Sequence, residues 1–128
     1  MEMQVGVDIV EIERLAAVLE RFGERFLQRI YTPAERALCR GRAPELAARF
    51  AAKEAAMKAL GTGRRGVGWR EIEVLSDRRG RPLLFLHGRA EARAAELGLR
   101  RFVVSLSHER HLAIATVVAW GEGSQDDR

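Results

Sequence analysis

Residues 49–63 carry the sequence RFAAKEAAMKALGTG, in which a helical pattern ends abruptly at glycine. One face of the predicted helix is apolar and carries four residues at helical spacing: Leu46, Phe50, Met57 and Leu60. Pro44 predicts where this helix begins, and Gly61 predicts where it ends. We therefore expect a helix of about 17 residues that packs one face against a core.

Lys53 places a positive charge in the middle of this apolar face. Such a charge is costly unless it is paired or reaches a polar cleft. Taken alone, the pattern favours a simpler interpretation, in which the aliphatic stem lies on the core and the ammonium extends to water. However, Lys53 and Lys58 are the only lysines among 22 basic residues. Because an ammonium is a compact point charge and a guanidinium a planar fork, two neighbouring lysines indicate a site that requires lysine.

Glu54 and Lys58 lie one helical turn apart, as in an ordinary surface ion pair. The neighbours of Glu54 are small, which would let another chain, an ion or a ligand approach its carboxylate: Ala47, Ala51 and Ala55. After the helix, the turn Gly61-Thr62-Gly63 is followed by Arg64 and Arg65. Backbone amides in such a turn can hold phosphates with the help of nearby cations, although most such turns only end a helix.

Asp8 is the second candidate, at the end of a predicted strand over residues 3–9. Gln4, Gly6 and Asp8 share one face of this strand, and its other, apolar face is expected to be buried. Asp8 either caps the helix that begins near residue 11, which is the interpretation favoured by this residue alone, or joins Glu54 in binding Mg²⁺.

The remaining pattern predicts an α+β protein. An apolar arc follows residue 11, formed by Ile12, Leu15, Val18, Leu19, Phe22, Phe26 and Ile30. Arginines occupy a largely opposite arc: Arg14, Arg21, Arg25 and Arg29. They are interleaved with Glu11, Glu13, Glu20 and Glu24, so this arc taken alone favours an ordinary solvated face. Gly23 is expected to divide this helix, and Thr32-Pro33-Ala34-Glu35 to start another. Strands are predicted at 70–75, 83–87, 102–107 and 112–119, and a helix at 89–97. We expect one domain over residues 1–120 and a polar tail over 121–128.

The composition excludes several classes of protein. No run of 18 apolar residues and no secretory signal pattern is present, so we expect a cytoplasmic protein without a membrane span. The net charge is +4, and the aromatic residues (6%) lie mostly at apolar helix positions, which disfavours a nucleic-acid-binding protein. Cys39 is the single cysteine and is assigned no role. His108 and His111 make a poor zinc site; His108, beside Ser107, either binds phosphate or is simply exposed, and the second is the ordinary case.

Three blocks together resemble one family. They are residues 6–11 (GVDIVE) with Arg14, residues 49–63, and residues 105–108 (SLSH). The order and spacing of these blocks, and the length of the whole chain, are similar to those of the holo-[acyl-carrier-protein] synthases. These are the small trimeric type of 4′-phosphopantetheinyl transferase. The resemblance implies an α+β fold around a small antiparallel sheet. It also implies transfer of the 4′-phosphopantetheine arm of coenzyme A to a serine of apo acyl carrier protein, with Mg²⁺ and release of adenosine 3′,5′-bisphosphate.

The resemblance further implies roles for individual residues. Asp8 and Glu54 would hold Mg²⁺, Lys58 would offset charge on the leaving side, and Glu54 is the candidate base. The coenzyme would be lined by Arg49, Lys58, Gly61, Thr62, Gly63, Ser107 and His108. Larger relatives carry a third acid at the place of Val10, so two protein ligands are expected here. Arg14, Arg21 and Arg25 would contact the acidic carrier, and the coenzyme would lie between subunits of a homotrimer. Two alternatives remain: a non-catalytic module that binds coenzyme A or a nucleotide, and a basic nucleic-acid-binding protein.

Overall fold

The structure is a computed structural model that describes residues 2–63 and 66–122. The strands are β1 (Glu2–Glu11), β2 (Ile72–Ser76), β3 (Pro82–Leu86), β4 (Arg101–His108) and β5 (Leu112–Gly121). The helices are α1 (Ile12–Phe22), α2 (Glu24–Ile30), α3 (Pro33–Cys39), α4 (Ala43–Leu60) and α5 (Gly88–Leu97), and a 3₁₀ turn covers Trp69–Glu71. No described helix is both long and apolar enough to cross a bilayer.

The strands form two small antiparallel sheets, which confirms the predicted α+β class. The first has the order β1-β5-β4, and the second pairs β2 with β3. In the first sheet Asp8 lies opposite Ala115, which in turn lies opposite Leu106. This register places Asp8 on the sheet face that packs against α4.

Helix α4 is the centre of the core because both clusters of buried side chains include its residues. Strand β1 crosses it at Gly6, where a Cβ atom would lie 1.8 Å from the carbonyl oxygen of Ala55. Only glycine on the strand and small residues on the helix permit so close an approach. The small neighbours of Glu54 therefore let strand β1 approach.

Local signals set several element boundaries as predicted. Gly23, with a φ of 54°, separates α1 from α2. Thr32 and Glu35 form a capping box at the start of α3.

Two boundaries differ from the prediction. The strand predicted from residue 70 begins only at Ile72, because Glu71 accepts a hydrogen bond from the Gly68 amide and closes the 3₁₀ turn. Gly121, assigned to the tail, belongs to β5, while residues 123–128 and both Arg64 and Arg65 lie outside the described residues.

One expectation about burial is wrong. The apolar face of β1 is exposed in the single chain, with Val5, Val7 and Ile9 at 58%, 47% and 59% of full exposure. Helix α4 packs on only one face of the sheet, and this is the other face. Phe22, assigned to the apolar arc of the first helix, is also exposed.

Candidate active site

A cleft of about 440 Å³ opens between β1, α1, α2 and α4. Its lining consists of three acids, one arginine and six apolar residues: Asp8, Glu11, Glu54, Arg14, Ile9, Val10, Leu15, Val18, Phe26 and Phe50. The two predicted metal ligands, 46 positions apart in the chain, therefore line the same cavity. An apolar floor beneath two carboxylates strengthens electrostatic interactions at the cleft, because it lowers the local dielectric constant.

Lys58 reaches from α4 to β1. Its Nζ donates to the carbonyl oxygen of Val7 at 2.9 Å and to Oδ1 of Asp8 at 3.1 Å. The Lys58 side chain is 55% exposed, whereas that of Asp8 is 18% exposed. The alternative in which Asp8 caps α1 is wrong, because Asp8 lies within β1 and the residue before α1 is Glu11. The exposed Lys58 ammonium thus pairs with one of the two candidate metal ligands.

Glu54 lies half-buried on the cleft, one turn before Lys58. Val10 follows Asp8 by two residues on the same strand face and lines the cleft too, so an apolar side chain occupies the place of a third acid. Among the described residues, no group of three or more acids, histidines or cysteines is placed to hold a metal. Two carboxylates nevertheless suit Mg²⁺, which commonly takes one or two from the protein and completes its shell with water and phosphate oxygens.

Lys53 does not extend to water, so the favoured interpretation of this residue is wrong. Its side chain is fully buried, and its Nζ lies 2.7 Å from Oε1 of Glu35, whose side chain is also fully buried. It also donates to the carbonyl oxygens of Trp69 and Ile72. Burial lowers the pKa of Lys53, and the charge of Glu35 opposes that shift.

Arg49 is buried as well, at 3% exposure. Its guanidinium donates to the carbonyl oxygen of Val74, to Ser76 and to the carboxylate of Glu45. Glu45 also lies 3.6 Å from Nε2 of His108. Arg49 is therefore linked to His108, at the end of β4, through the carboxylate of Glu45. The guanidinium of Arg49 itself is buried and hydrogen-bonded within the chain.

The other predicted coenzyme residues belong to two places in the fold, the turn after α4 and the end of β4. The Gly61 and Thr62 amides donate to Lys58 and Met57 carbonyls, so the turn first of all ends α4. The Thr62 hydroxyl donates to the Gly63 carbonyl oxygen. Ser107 and His108 are both exposed, as predicted for His108, and adjacent strand residues point to opposite sheet faces.

The three predicted carrier-contact arginines are exposed along α1 and α2. Arg14 lines the cleft, and the Arg21 guanidinium lies 5.2 Å from the Phe22 ring centroid. Arg25 lines a shallow groove with Gln28, Arg29 and Arg70. We call these three exposed arginines the basic strip; of them, Arg14 borders the cleft that Asp8 and Glu54 line.

Two further titratable residues behave as ordinary structural groups. Burial raises the pKa of Cys39 to about 11, which keeps its thiol protonated at neutral pH. His111 is exposed, and its Nδ1 lies 2.6 Å from Oε1 of Glu13. That hydrogen bond and the charge of Glu13 raise the pKa of His111.

Sequence reasoning missed Glu35 and the aromatic wall of the cleft. Glu35 was assigned only to the capping box. A lysine on a core-facing helix face is costly unless it is paired, and this cost was the available signal for a buried acid. Phe26 stacks on Phe50 with 6.4 Å between ring centroids, and Phe50 stacks on Trp69 at 4.9 Å. Helical periodicity places Phe26 and Phe50 in the core, and no simple signal distinguishes a cleft wall from a core.

Comparison with known proteins gives a consistent result. Residues 4–117 match the family described as the 4′-phosphopantetheinyl transferase superfamily. The holo-[acyl-carrier-protein] synthase of Herpetosiphon aurantiacus is 54% identical over 123 residues, which covers 91% of this chain and 97% of that relative.

Solved structures agree with these sequence relatives. The Helicobacter pylori holo-[acyl-carrier-protein] synthase in complex with coenzyme A superposes with a TM-score of 0.83 at 32% identity, covering 91% of this chain and 99% of that one. A coenzyme A complex of the Chronobacterium ammoniagenes enzyme gives 0.85 at 34% identity, covering 95% and 99%. This chain belongs to the 4′-phosphopantetheinyl transferase superfamily and is a member of its holo-[acyl-carrier-protein] synthase group.

Proposed function

We propose that this chain uses Asp8, Glu54 and Lys58 to transfer the 4′-phosphopantetheine group of coenzyme A to a serine of apo acyl carrier protein. The observation that carries this assignment is the convergence of two carboxylates on one cleft, with the Lys58 ammonium 3.1 Å from Asp8. The serine oxygen bonds to the β-phosphorus, the bond from that phosphorus to the bridging oxygen breaks, and adenosine 3′,5′-bisphosphate leaves with the electron pair.

Asp8 and Glu54 would hold Mg²⁺. The fit is supported by the donor set, since both residues offer hard oxygen ligands, and by the Lys58 ammonium, which shows that a cation is accommodated beside Asp8. When bound there, Mg²⁺ supplies positive charge that offsets the charge of the diphosphate. With Val10 in the third place, we expect two protein ligands.

Lys58 would stabilise the charge that develops on the 5′-phosphate of the leaving adenosine 3′,5′-bisphosphate. Its exposed, flexible side chain can move from Asp8 to a phosphate oxygen, and a cation placed where charge develops lowers the barrier. Glu54 is also our candidate for the base that takes the serine proton, because its carboxylate faces the cleft.

The coenzyme would extend from the cleft towards two further groups of residues. One is the turn at Gly61–Gly63, where the Thr62 hydroxyl and the backbone at Gly63 are the proposed contacts. The other is Ser107 and His108, with Arg49 acting through Glu45 to orient His108.

A homotrimer with active sites between subunits is part of the proposal. It is supported by the exposed outer face of the first sheet, where apolar side chains of all three strands lie together: Met3, Val5, Val7, Ile9, Val103, Leu112 and Ile114. A contiguous apolar face of this kind marks an interaction surface. Ser107 lies on the same face, so a neighbouring subunit would approach the coenzyme through it.

The acidic carrier would dock on the basic strip. Arg14 lies on the cleft, so a carrier bound to Arg14, Arg21 and Arg25 would present its serine beside Asp8 and Glu54. Arg29 and Arg70, which share a groove with Arg25, extend this strip. Charge complementarity of this kind mainly speeds and orients encounter. We place the reaction in the cytoplasm, in keeping with the single buried thiol.

A mass-shift assay tests the proposal. The protein is incubated with coenzyme A, Mg²⁺ and an apo carrier protein, and the carrier should gain one phosphopantetheine. Coenzyme binding without any shift would favour a non-catalytic binding module, and RNA binding without a shift would favour a nucleic-acid-binding protein.

A further inference from the structure

Lys53 and Glu35 form an ion pair in which both side chains are completely buried. Lys53 donates to three oxygens, those of Glu35, Trp69 and Ile72, so each N–H of its ammonium has an acceptor. Glu35 also accepts from the backbone amides of Thr32 and Val74. One pair of side chains thus joins α3, α4, the 3₁₀ turn and β2.

A buried ion pair is a poor way to gain stability, because apolar residues of similar volume often do as well or better. The pair instead fixes the position of the neighbouring backbone. It fixes the carbonyls of Trp69 and Ile72, at the two ends of the 3₁₀ turn, to a single point on α4. A hydrophobic pair could fill the space but could not hold those carbonyls.

The backbone that Lys53 holds follows α4, the helix that carries Glu54 and Lys58, in the chain. The chain leaves α4 at Gly61, where the Gly61 and Thr62 amides bond to its last carbonyls. It returns to α4 at Trp69, where Lys53 holds it. Gly61 and Thr62 on one side, and Trp69 on the other, are therefore tied to the same helix. The Trp69 ring also stacks on Phe50, which lines the cleft.

We propose that Lys53 is a positioning residue: paired with Glu35, it holds the described residues 66–72 in place, with Gly66 packed against Thr62, so that Thr62 and Gly63 meet the coenzyme. This inference rests on the proposed function of the cleft. Lys53 is buried and touches no reacting atom, so its loss acts on coenzyme binding first.

The decisive variant is the double substitution Glu35→Met with Lys53→Met, which removes both charges and keeps their volume. We expect the melting temperature to fall, because the Trp69 and Ile72 carbonyls and the Val74 amide lose their partners, while the KM for coenzyme A rises about tenfold in the folded variant. The carrier KM and kcat should stay within about twofold of their original values. The control is the double substitution Glu24→Met with Arg36→Met, which removes a more exposed ion pair. It should change neither the melting temperature nor the KM for coenzyme A.

Two readouts do not depend on turnover. Calorimetry should give weaker coenzyme A binding for the double variant, and its amides at residues 66–72 should exchange hydrogen at least about tenfold faster than before. In the unchanged protein those amides should exchange as slowly as the amides of α4. Stable folding of the double variant with unchanged coenzyme affinity would overturn the proposal, and so would free exchange of residues 66–72 in the unchanged protein. If the unchanged protein does not transfer phosphopantetheine to the carrier, the proposed function itself is refuted.

Discussion

Replacing Gly6 with alanine tests whether the contact between β1 and α4 sets the position of Asp8. The added Cβ would lie 1.8 Å from the carbonyl oxygen of Ala55 and 3.1 Å from the amide of Ala59, whereas ordinary contacts begin near 3.4 Å. Both atoms belong to the backbone of a buried helix, so the strand must move away by roughly 1.6 Å. Asp8 follows two residues later on the same face and moves with it.

We expect two consequences from this displacement. Overpacking should lower the free energy of unfolding by about 1–3 kcal/mol. Because an active-site group misplaced by about 1 Å can cost about 100-fold, kcat/KM should fall about 100-fold. Urea unfolding, followed by tryptophan fluorescence, measures the first effect, and the carrier mass shift measures the second.

Gly80→Ala is the matched control for this experiment. Gly80 has a φ of 86°, and no described atom lies within 4 Å of the position that an added Cβ would take, so alanine there introduces backbone strain without a clash. It should lose about 1 kcal/mol of stability and keep full activity. A Gly6→Ala protein that is destabilised but fully active would show that β1 packing does not position Asp8, and unchanged stability would refute the packing itself.

Three further changes test other parts of the account. Arg14→Glu should raise the KM for the carrier at least about tenfold and hardly change that for coenzyme A, with the effect shrinking at high salt; equal effects on both would place the carrier elsewhere. Val7→Glu should convert the proposed trimer to monomers in light scattering and abolish activity, whereas Arg79→Glu in the β2–β3 turn should do neither; a monomeric unchanged protein would refute the assembly. The raised pKa of His111 means that its pairing with Glu13 stabilises the fold below about pH 6.5 and loses that effect as pH rises through the folded-state pKa. NMR titration should give a pKa for His111 above about 6.5 that falls in Glu13→Gln, and an unmoved value would contradict the pairing.

Local features were predictable because local chemistry decides them. The capping box at Thr32, the break at Gly23 and the glycine that ends α4 each depend on residues within one helical turn. The candidate site was also predictable, because Asp8, Glu54 and Lys58 belong to blocks whose order resembles a known family.

Pairings between distant residues were not predictable from these patterns. Lys58 bonds Asp8 across 50 positions, and Lys53 meets Glu35 across 18. Helical periodicity shows that Lys53 faces the core but does not identify the acid that meets it. Strand alternation likewise shows that β1 has two faces, but only tertiary packing determines that α4 covers the face carrying Gly6 and Asp8 and leaves Val5, Val7 and Ile9 exposed.

We expect Asp8 and Glu54 to bind one divalent ion together. The direct measurement is a crystal structure with coenzyme A and Mn²⁺ in place of Mg²⁺, in which anomalous scattering locates the metal. We predict one peak in the cleft, about 2.1–2.2 Å from one carboxylate oxygen of each residue and from a diphosphate oxygen. A metal bound by the coenzyme alone, or by only one of the two acids, would contradict the account.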